Sequence, residues 1–571
     1  MIESSKWTMP FEVNPAYSKK VAYFSMEFAV AQALKIYSGG LGFLAGSHMR
    51  SAYELKQNLF GIGMLWRYGY YDQIRDEEGM MAVQFQKKLY TYLQQTDIEF
   101  TLQIDNETVK VKVYYLSPDI FHSAPLFLMT TDFPENSEKA RAYCHRLYDN
   151  YPQHRVAQQI LLGIGGGKIV EALGGVDTYH LNEGHGLPLA FHLFEQYKST
   201  DEVRKRLVFT THTPEKAGNE EQDIDFLHNM GFFNGVPLEI VKEITHTENN
   251  TLSFTPATLN LSRLSNAVSK LHGDVSNEMW AHINDRCPII SITNAQNKHF
   301  WADHELEQAN QQDDDHDLVT LKKEMKAELF EIVANQTGKI FRPDVLTIVW
   351  ARRFASYKRA DLVLRDKERF LKMVNNTKYP VQIIWAGKPY PMDYGSVNTF
   401  NEIITFNRGR ANCATLVGYE IMLSRQLKRG SDVWLNTPRR PHEASGTSGM
   451  TAAMNGSVNV SINDGWIPEF ARHGENAFVT PTADHTTMDI ESIDNFDHEN
   501  IMSVLENEVI PAYYDNPSKW VEIMKNSMRD VVPYFDSNRM ADEYYQKLYN
   551  SEYDASKRIM VQPAAKEVGA S

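Results

Sequence analysis

Short hydrophobic runs alternate with helical stretches along almost the whole chain, and nothing else in the sequence constrains the fold as tightly. Strand-like runs occupy residues 21–24, 178–181, 207–210, 346–350, 381–386 and 458–462, with helical patterns such as 155–173 and 360–374 between them. Strand, helix and strand in succession build parallel sheets covered by helices, so the expected fold class is α/β. Each run ends in a polar loop, where open α/β sheets place their ligands. At 571 residues the chain is too long for one ordinary core, and two large units are expected.

The natural division falls near residues 284–293. A long helical pattern, 261–280, precedes it, and Pro288-Ile-Ile-Ser-Ile-Thr293 reads as a strand opening a new unit. The expected units are 1–288 and 289–535. Two polar stretches, 305–317 and 480–500, read as surface insertions or linkers, and 556–571 as a frayed tail.

Charge and cysteines narrow the function classes. With 58 basic against 73 acidic residues, the net charge of −15 argues against a nucleic-acid or anionic-membrane partner, though not against a local phosphate pocket. Cys144, Cys287 and Cys413 stand far apart, without metal or redox spacing, which suits a reducing compartment. The first twenty residues lack the apolar core of a signal peptide, and no apolar run is long enough to span a membrane. A cytoplasmic enzyme is expected.

Residues 443–450 carry no large branched aliphatic side chain and read as a loop, not as core. Gly446 and Gly449 let the backbone approach a ligand closely. Thr447 and Ser448 are candidates to cap a helix whose first amides face an anion. That helix would run to Met454 and stop at Asn455-Gly456.

The longer run Pro438-Arg-Arg-Pro-His-Glu-Ala-Ser-Gly-Thr-Ser-Gly-Met450 resembles the signature of the α-glucan phosphorylases: the glycogen, starch and maltodextrin enzymes. The resemblance covers about residues 20–290 and 340–550, in the family's order. It implies a GT-B architecture, two Rossmann-like doubly wound domains around a central cleft. It also implies that the last helices, within 536–555, cross back onto the first half. In the family the residue after the Met is the lysine that holds pyridoxal phosphate as a Schiff base. Here it is Thr451, which has no amine and cannot form an imine.

Further motifs extend the resemblance. In Ile36-Tyr-Ser-Gly-Gly-Leu-Gly-Phe-Leu-Ala-Gly46 the family's glycine loop starts a helix facing the substrate phosphate, which marks Gly40 and Gly42. Leu65-Trp-Arg-Tyr-Gly-Tyr-Tyr-Asp-Gln73 follows at the family's distance. His180-Leu-Asn-Glu-Gly-His185 lacks the spacing of a zinc site, and Asn182 and Gly184 would break the helix such sites use, so no metal is expected. It resembles a sugar-cleft loop, with His185 carried over. Thr211-His-Thr-Pro214 resembles the loop whose histidine contacts the transferred glucose. His212 would then bond a sugar hydroxyl and turn its carbonyl toward developing positive charge.

Ala351-Arg-Arg-Phe-Ala-Ser-Tyr-Lys-Arg359 supplies Arg353 and Lys358, which match the family's phosphate-binding Arg and Lys. Trp385-Ala-Gly-Lys388 resembles a strand-end Gly-Lys of the family. Glu443 matches the glutamate that binds glucose hydroxyls beside the Ala444, Ser445 and Gly446 amides, and Arg439 and Arg440 could line the same cleft. Trp301, Tyr419, Thr447, Ser448 and position 451 fall on the cofactor side. Asn294-Ala-Gln-Asn-Lys-His-Phe-Trp301 departs from the family's Asn-Gly turn, and Ser47 stands where short members carry Asp.

Catalytic roles are thus expected for His212, Arg353, Lys358 and Glu443. The resemblance implies a retaining α-glucosyltransferase on α-1,4-glucans, using phosphate or a phosphorylated glucose. It allows pyridoxal phosphate as a non-covalent ligand only. A nucleotide-sugar-dependent transferase and a catalytically silent glucan-binding homologue stay open, and dimers are common in the family.

Overall fold

The computed structural model describes residues 1–561. Two sheets organise them. The first has nine strands, with Val21–Phe24 near the middle between Leu59–Met64 and Thr178–Asn182, both parallel to it. Beyond Thr178–Asn182 follow Leu207–Thr210, Leu264–Ala267 and Ile289–Ser291, again parallel. On the other side Leu126–Thr130 is parallel, Glu107–Leu116 pairs antiparallel to it, and Gln94–Ile104 pairs antiparallel to Glu107–Leu116. All four residues of Val21–Phe24 are buried, as expected where helices cover both faces of a sheet.

The second sheet has six parallel strands. Leu346–Ala351 lies between Val381–Ala386 and Val433–Asn436; Cys413–Leu416 extends one side, Val458–Ser461 and Phe478–Val479 the other. The order reverses at Leu346–Ala351, and at such a switch point the loops after neighbouring strands diverge and leave a crevice.

Several expectations change. The stretch 261–280 is not one helix: Leu264–Ala267 is a buried parallel strand, and the helix is Lys270–Met279, capped by Ser269 Oγ on the His272 amide. Ile289–Ser291 does not open the second unit but forms the outer strand of the first sheet. The change of sheet therefore comes after Ser291. The polar stretch 305–317 falls largely within the helices His304–Gln311 and Asp315–Thr337. Within 480–500 the helix Ile490–Val504 brings Asp494 and Asp497 to the buried Arg359, at 2.8 and 2.7 Å.

The helix Pro517–Phe535 packs on Thr447–Met454 in the second half. Ser537–Glu543 and the π-helical turn Tyr544–Tyr549 then lie against the first sheet. Tyr549 Oη meets His180 Nδ1 at 2.7 Å, and Arg263 donates to the Leu548 carbonyl at 3.0 Å. The tail is not frayed at 556–561, where buried Arg558 pairs with Asp285 and donates to the Ser262 and Asn260 carbonyls. The rest of the expected tail, 562–571, lies outside the described residues.

Candidate active site

The loop after Val433–Asn436 leads into the helix Thr447–Met454. Gly446 is the N-cap at φ 89°, a conformation that costs a side-chain-bearing residue, and no side chain caps the helix. Thr447 and Ser448 therefore lie inside the helix and are not its caps. The first amides of a helix have no partner within it, so this end is left to attract an anion. The segment was expected to stay out of the core, yet Glu443, Ser445 and Met450 are all buried. The loop packs between the halves, where Ser269 Oγ donates to the Ala444 carbonyl at 2.7 Å.

Glu443 sits among cations. Lys358 Nζ lies 2.8 and 3.0 Å from its two oxygens, and Arg352 Nη1 lies 3.4 Å from one of them. Burial alone would raise the Glu443 pKa; Lys358 and Arg352 hold it below the usual carboxylate range. The Glu443 amide donates to Asp464 at 3.0 Å. Asp464 is pushed up to about 7, by burial first and by the Glu443 charge second.

Arg352 and Arg353 follow the strand Leu346–Ala351, and the first is buried while the second is exposed. Arg352 turns inward to Glu443, Asn436 and Ser448 Oγ. Arg353 is exposed, with no ion pair among the described residues, yet Glu443 and the first half's Tyr70 and Tyr148 feel its charge.

Across the cleft, Glu183 adopts φ 73° and uses its carboxylate to hold the next loop. Its oxygens accept from the Gly184 amide at 3.1 Å and the His212 amide at 2.8 Å. Asn182 donates to Ser25 Oγ and turns its oxygen to His212 Nε2 at 2.6 Å, so Nε2 carries the imidazole proton. Burial, with His272 and His185 nearby, depresses His212 to about 3. His185 is likewise depressed to about 3 by burial and by Arg155. Both rings are neutral at ordinary pH. His272 joins this loop to the other half: its Nε2 is 3.0 Å from the Thr213 carbonyl, and its amide bonds Ser269, the residue that holds Ala444.

The glycine loop departs from expectation. Glu27 fills the mouth of the helix Gly40–Glu54, accepting from the Ser38 amide at 2.5 Å, the Gly39 amide at 3.2 Å and Tyr148 Oη at 2.7 Å. The leading amides of this loop thus hold an internal carboxylate. Gly42 abuts Glu27, whereas Gly40 opens onto unfilled space.

Residues 290–491 match the family model described as carbohydrate phosphorylase. The chain is 33% identical to the maltodextrin phosphorylase of Thermococcus litoralis, over 96% of this chain and 72% of that protein. It is 31% identical to the glycogen phosphorylase of Aquifex aeolicus, over 94% and 86%. An uncharacterised protein of Methanocaldococcus jannaschii is 45% identical over 93% of this chain and its own full length.

The chain belongs to the carbohydrate phosphorylase family.

Its two doubly wound sheets are those of the GT-B architecture of the phosphorylases. Of the site residues expected from sequence, Lys358 and Glu443 touch directly, and Arg353 stands beside them. His212 and His185 come together on the other wall. Arg439 does not line the cleft as a free cation; both Asp494 oxygens bind it, and Arg440 donates to the Asn463 carbonyl. Lys388 bridges the halves through the Tyr71 carbonyl and Glu420. Sequence reasoning missed Glu27, Asp464 and Arg352. Only Arg352 carried a signal: it adjoins Arg353 directly after a buried strand, where one of two neighbouring arginines can turn inward.

Phosphorylase family members use pyridoxal phosphate, and the residues expected on its side of the site can be located in the fold. The uncapped amides of Thr447 and Ser448 beside Arg352 suit its phosphate. Tyr419 and Trp301 are buried nearby in the second half, Tyr419 Oη 3.4 Å from the Ala351 carbonyl. Thr451 Oγ1 is turned back to the Ser448 carbonyl at 3.1 Å. Among the described residues there is no cluster able to hold a metal ion.

Proposed function

We propose that the protein is a retaining α-glucosyltransferase of α-1,4-glucans that uses phosphate or a phosphorylated glucose. The observation that supports this most is the division of labour between adjacent arginines and Lys358. Glu443 offsets one of the two positive charges of Lys358 and Arg352 and leaves that wall net positive, while Arg353 has no carboxylate partner among the described residues and can meet an external anion. In this reading Arg353 clamps the substrate phosphate, with Lys358 supplying a second charge. Glu443, Ala444, Ser445 and Gly446 hold the sugar; the buried Ser445 hydroxyl has no protein partner and is available to it. His212, held neutral with Nε2 bonded to Asn182, orients its loop so that backbone dipoles face the cationic sugar of the transition state. When bound, pyridoxal phosphate would supply a phosphate group beside that of the substrate.

Thr451 favours a second reading, in which a nucleotide-sugar diphosphate spans the space of the two phosphates. Both readings place the enzyme in the cytoplasm, consistent with three buried free thiols, and neither depends on whether it dimerises. The test is a donor screen with a maltodextrin acceptor, run with and without pyridoxal phosphate. Chain extension from glucose 1-phosphate, and phosphorolysis in reverse, support the first reading. Extension from a nucleotide sugar alone replaces it with the second, and glucan binding without either reaction leaves a silent homologue.

A further inference from the structure

A buried lysine has no acid beside it. Lys428 is only 1% exposed, near the end of the helix Ile421–Arg429. Its Nζ stands 4.0 Å from the Trp301 ring centroid and 5.7 Å from that of Phe43. Among the described residues no carboxylate lies within ion-pair distance of it, and the charge that bears on it is that of Arg425, of the same sign. Leaving an ammonium buried and uncompensated costs several kcal/mol, so an amine in such a place is held neutral. Burial and Arg425 accordingly push its pKa well below the ordinary lysine value.

The place of this amine matters as much as its state. Its helix packs against Thr447–Met454, the helix whose family lysine is here Thr451. Trp301, over which the amine sits, is tied to that same position: Asn455 Nδ2 donates to the Trp301 carbonyl at 2.9 Å and to the Thr451 carbonyl at 2.8 Å. An apolar aromatic wall, a neutral amine and an uncapped helix end beside Arg352 are the parts that an aldehyde bearing a phosphate requires.

We propose that Lys428 takes over the role lost at position 451, binding pyridoxal phosphate covalently from a neighbouring helix. The Nζ lone pair attacks the aldehyde carbon and a C–N bond forms. The two amine hydrogens leave with the aldehyde oxygen as water, and an imine remains. No oxidant or reductant takes part. The proposal puts a covalent link where the sequence led us to expect a non-covalent one. It rests on the phosphorylase reading of the pocket, but its readout is chemistry at one amine and not glucosyl transfer.

The full chain is incubated with pyridoxal 5′-phosphate at pH 6 to 7, reduced with borohydride, digested and mapped by mass spectrometry. A depressed pKa leaves more free amine at this pH, about tenfold for each pH unit of depression, so surface lysines compete poorly. The expected result is one reduced adduct per chain, on Lys428, with an imine absorbance band before reduction. Lys428→Met, which keeps the stem and removes the amine, loses both while remaining folded by circular dichroism. Labelling of Lys358, Lys388 or surface lysines in place of Lys428 overturns the proposal. So does reversible binding that leaves no adduct, or no binding at all. A chain that carries the adduct but transfers no glucose would refute the proposed function and leave Lys428 in place. Transfer without any adduct would do the reverse.

Discussion

Lys358 Nζ lies 2.8 Å from one carboxylate oxygen of Glu443 and 3.0 Å from the other, although 85 positions separate the two residues in the chain. The pair joins the loop after one central strand to the loop after its neighbour, at the point where the strand order reverses. Glu443→Ala would leave Lys358 and Arg352 buried without a counter-charge, a loss of about 3–5 kcal/mol. A thermal melt should show that destabilisation together with loss of transfer. Glu443→Gln, which keeps the size, should fold better yet still lose transfer. An alanine variant as stable as the parent would mean that the three charges are not coupled.

Arg353→Ala should behave in the opposite way. Its side chain is exposed and has no ion pair among the described residues, so the melting temperature should hardly move. If it clamps the leaving phosphate, transfer falls roughly 10²–10³-fold. Arg352→Ala in the same assay should destabilise as well, because Arg352 is spent on Glu443 and Asn436. Equal effects of the two substitutions on stability would contradict the inward and outward assignment.

The glycines of one motif separate cleanly. A Cβ on Gly42 would meet Glu27 Oε2 at 2.5 Å and Tyr37 Cβ at 2.8 Å. Gly42→Ala should therefore cost about 1–3 kcal/mol. At Gly40 a Cβ meets nothing within 4 Å, and Ala at a helix start restricts the unfolded chain, so Gly40→Ala should be neutral or gain up to about 1 kcal/mol. Urea unfolding of the two variants measures the difference directly.

Acid should unfold the protein through its buried imidazoles. His48 is fully buried between Tyr23 and Tyr544, with both ring nitrogens unpartnered, and burial lowers it to about 3. Its folded pKa is below its unfolded value near 6.5, so the unfolded chain binds the extra proton. Its contribution is complete above pH 6.5 and is lost as pH falls from there toward 3, by up to about 1.4 kcal/mol per pH unit. His48→Leu should move the acid-unfolding midpoint to lower pH. A midpoint that stays put would assign the acid sensitivity to other groups.

The strands that carry the site were legible because each is a short apolar run closed by a small-residue loop. The helix Thr447–Met454 was legible because glycines bracket it. The strand Leu264–Ala267 was hidden: Leu-Ser-Asn-Ala has no alternation, and no glycine or proline separates it from the next helix. Glu27 and Asp464 were invisible for a different reason. Each acts on backbone amides brought to it by the tertiary fold, so no spacing in the chain announces it. Lys428 looked like any basic residue ending a helix, and only burial without an acid sets it apart.

The crossing of the last helix has a consequence for biogenesis. Tyr549 closes over His180, and its neighbour Tyr545 packs on Tyr17, so residues near the end of the chain complete a core begun at its start. Tyr549 follows His180 by 369 positions. At about 5–20 residues per second, a ribosome exposes the unfinished face of the first sheet for roughly 20–70 s before its cover is made. The nascent chain must stay in solution through that interval with an aromatic-lined patch uncovered. Its folding yield in the cell should depend on translation speed and on chaperones that shield this one face.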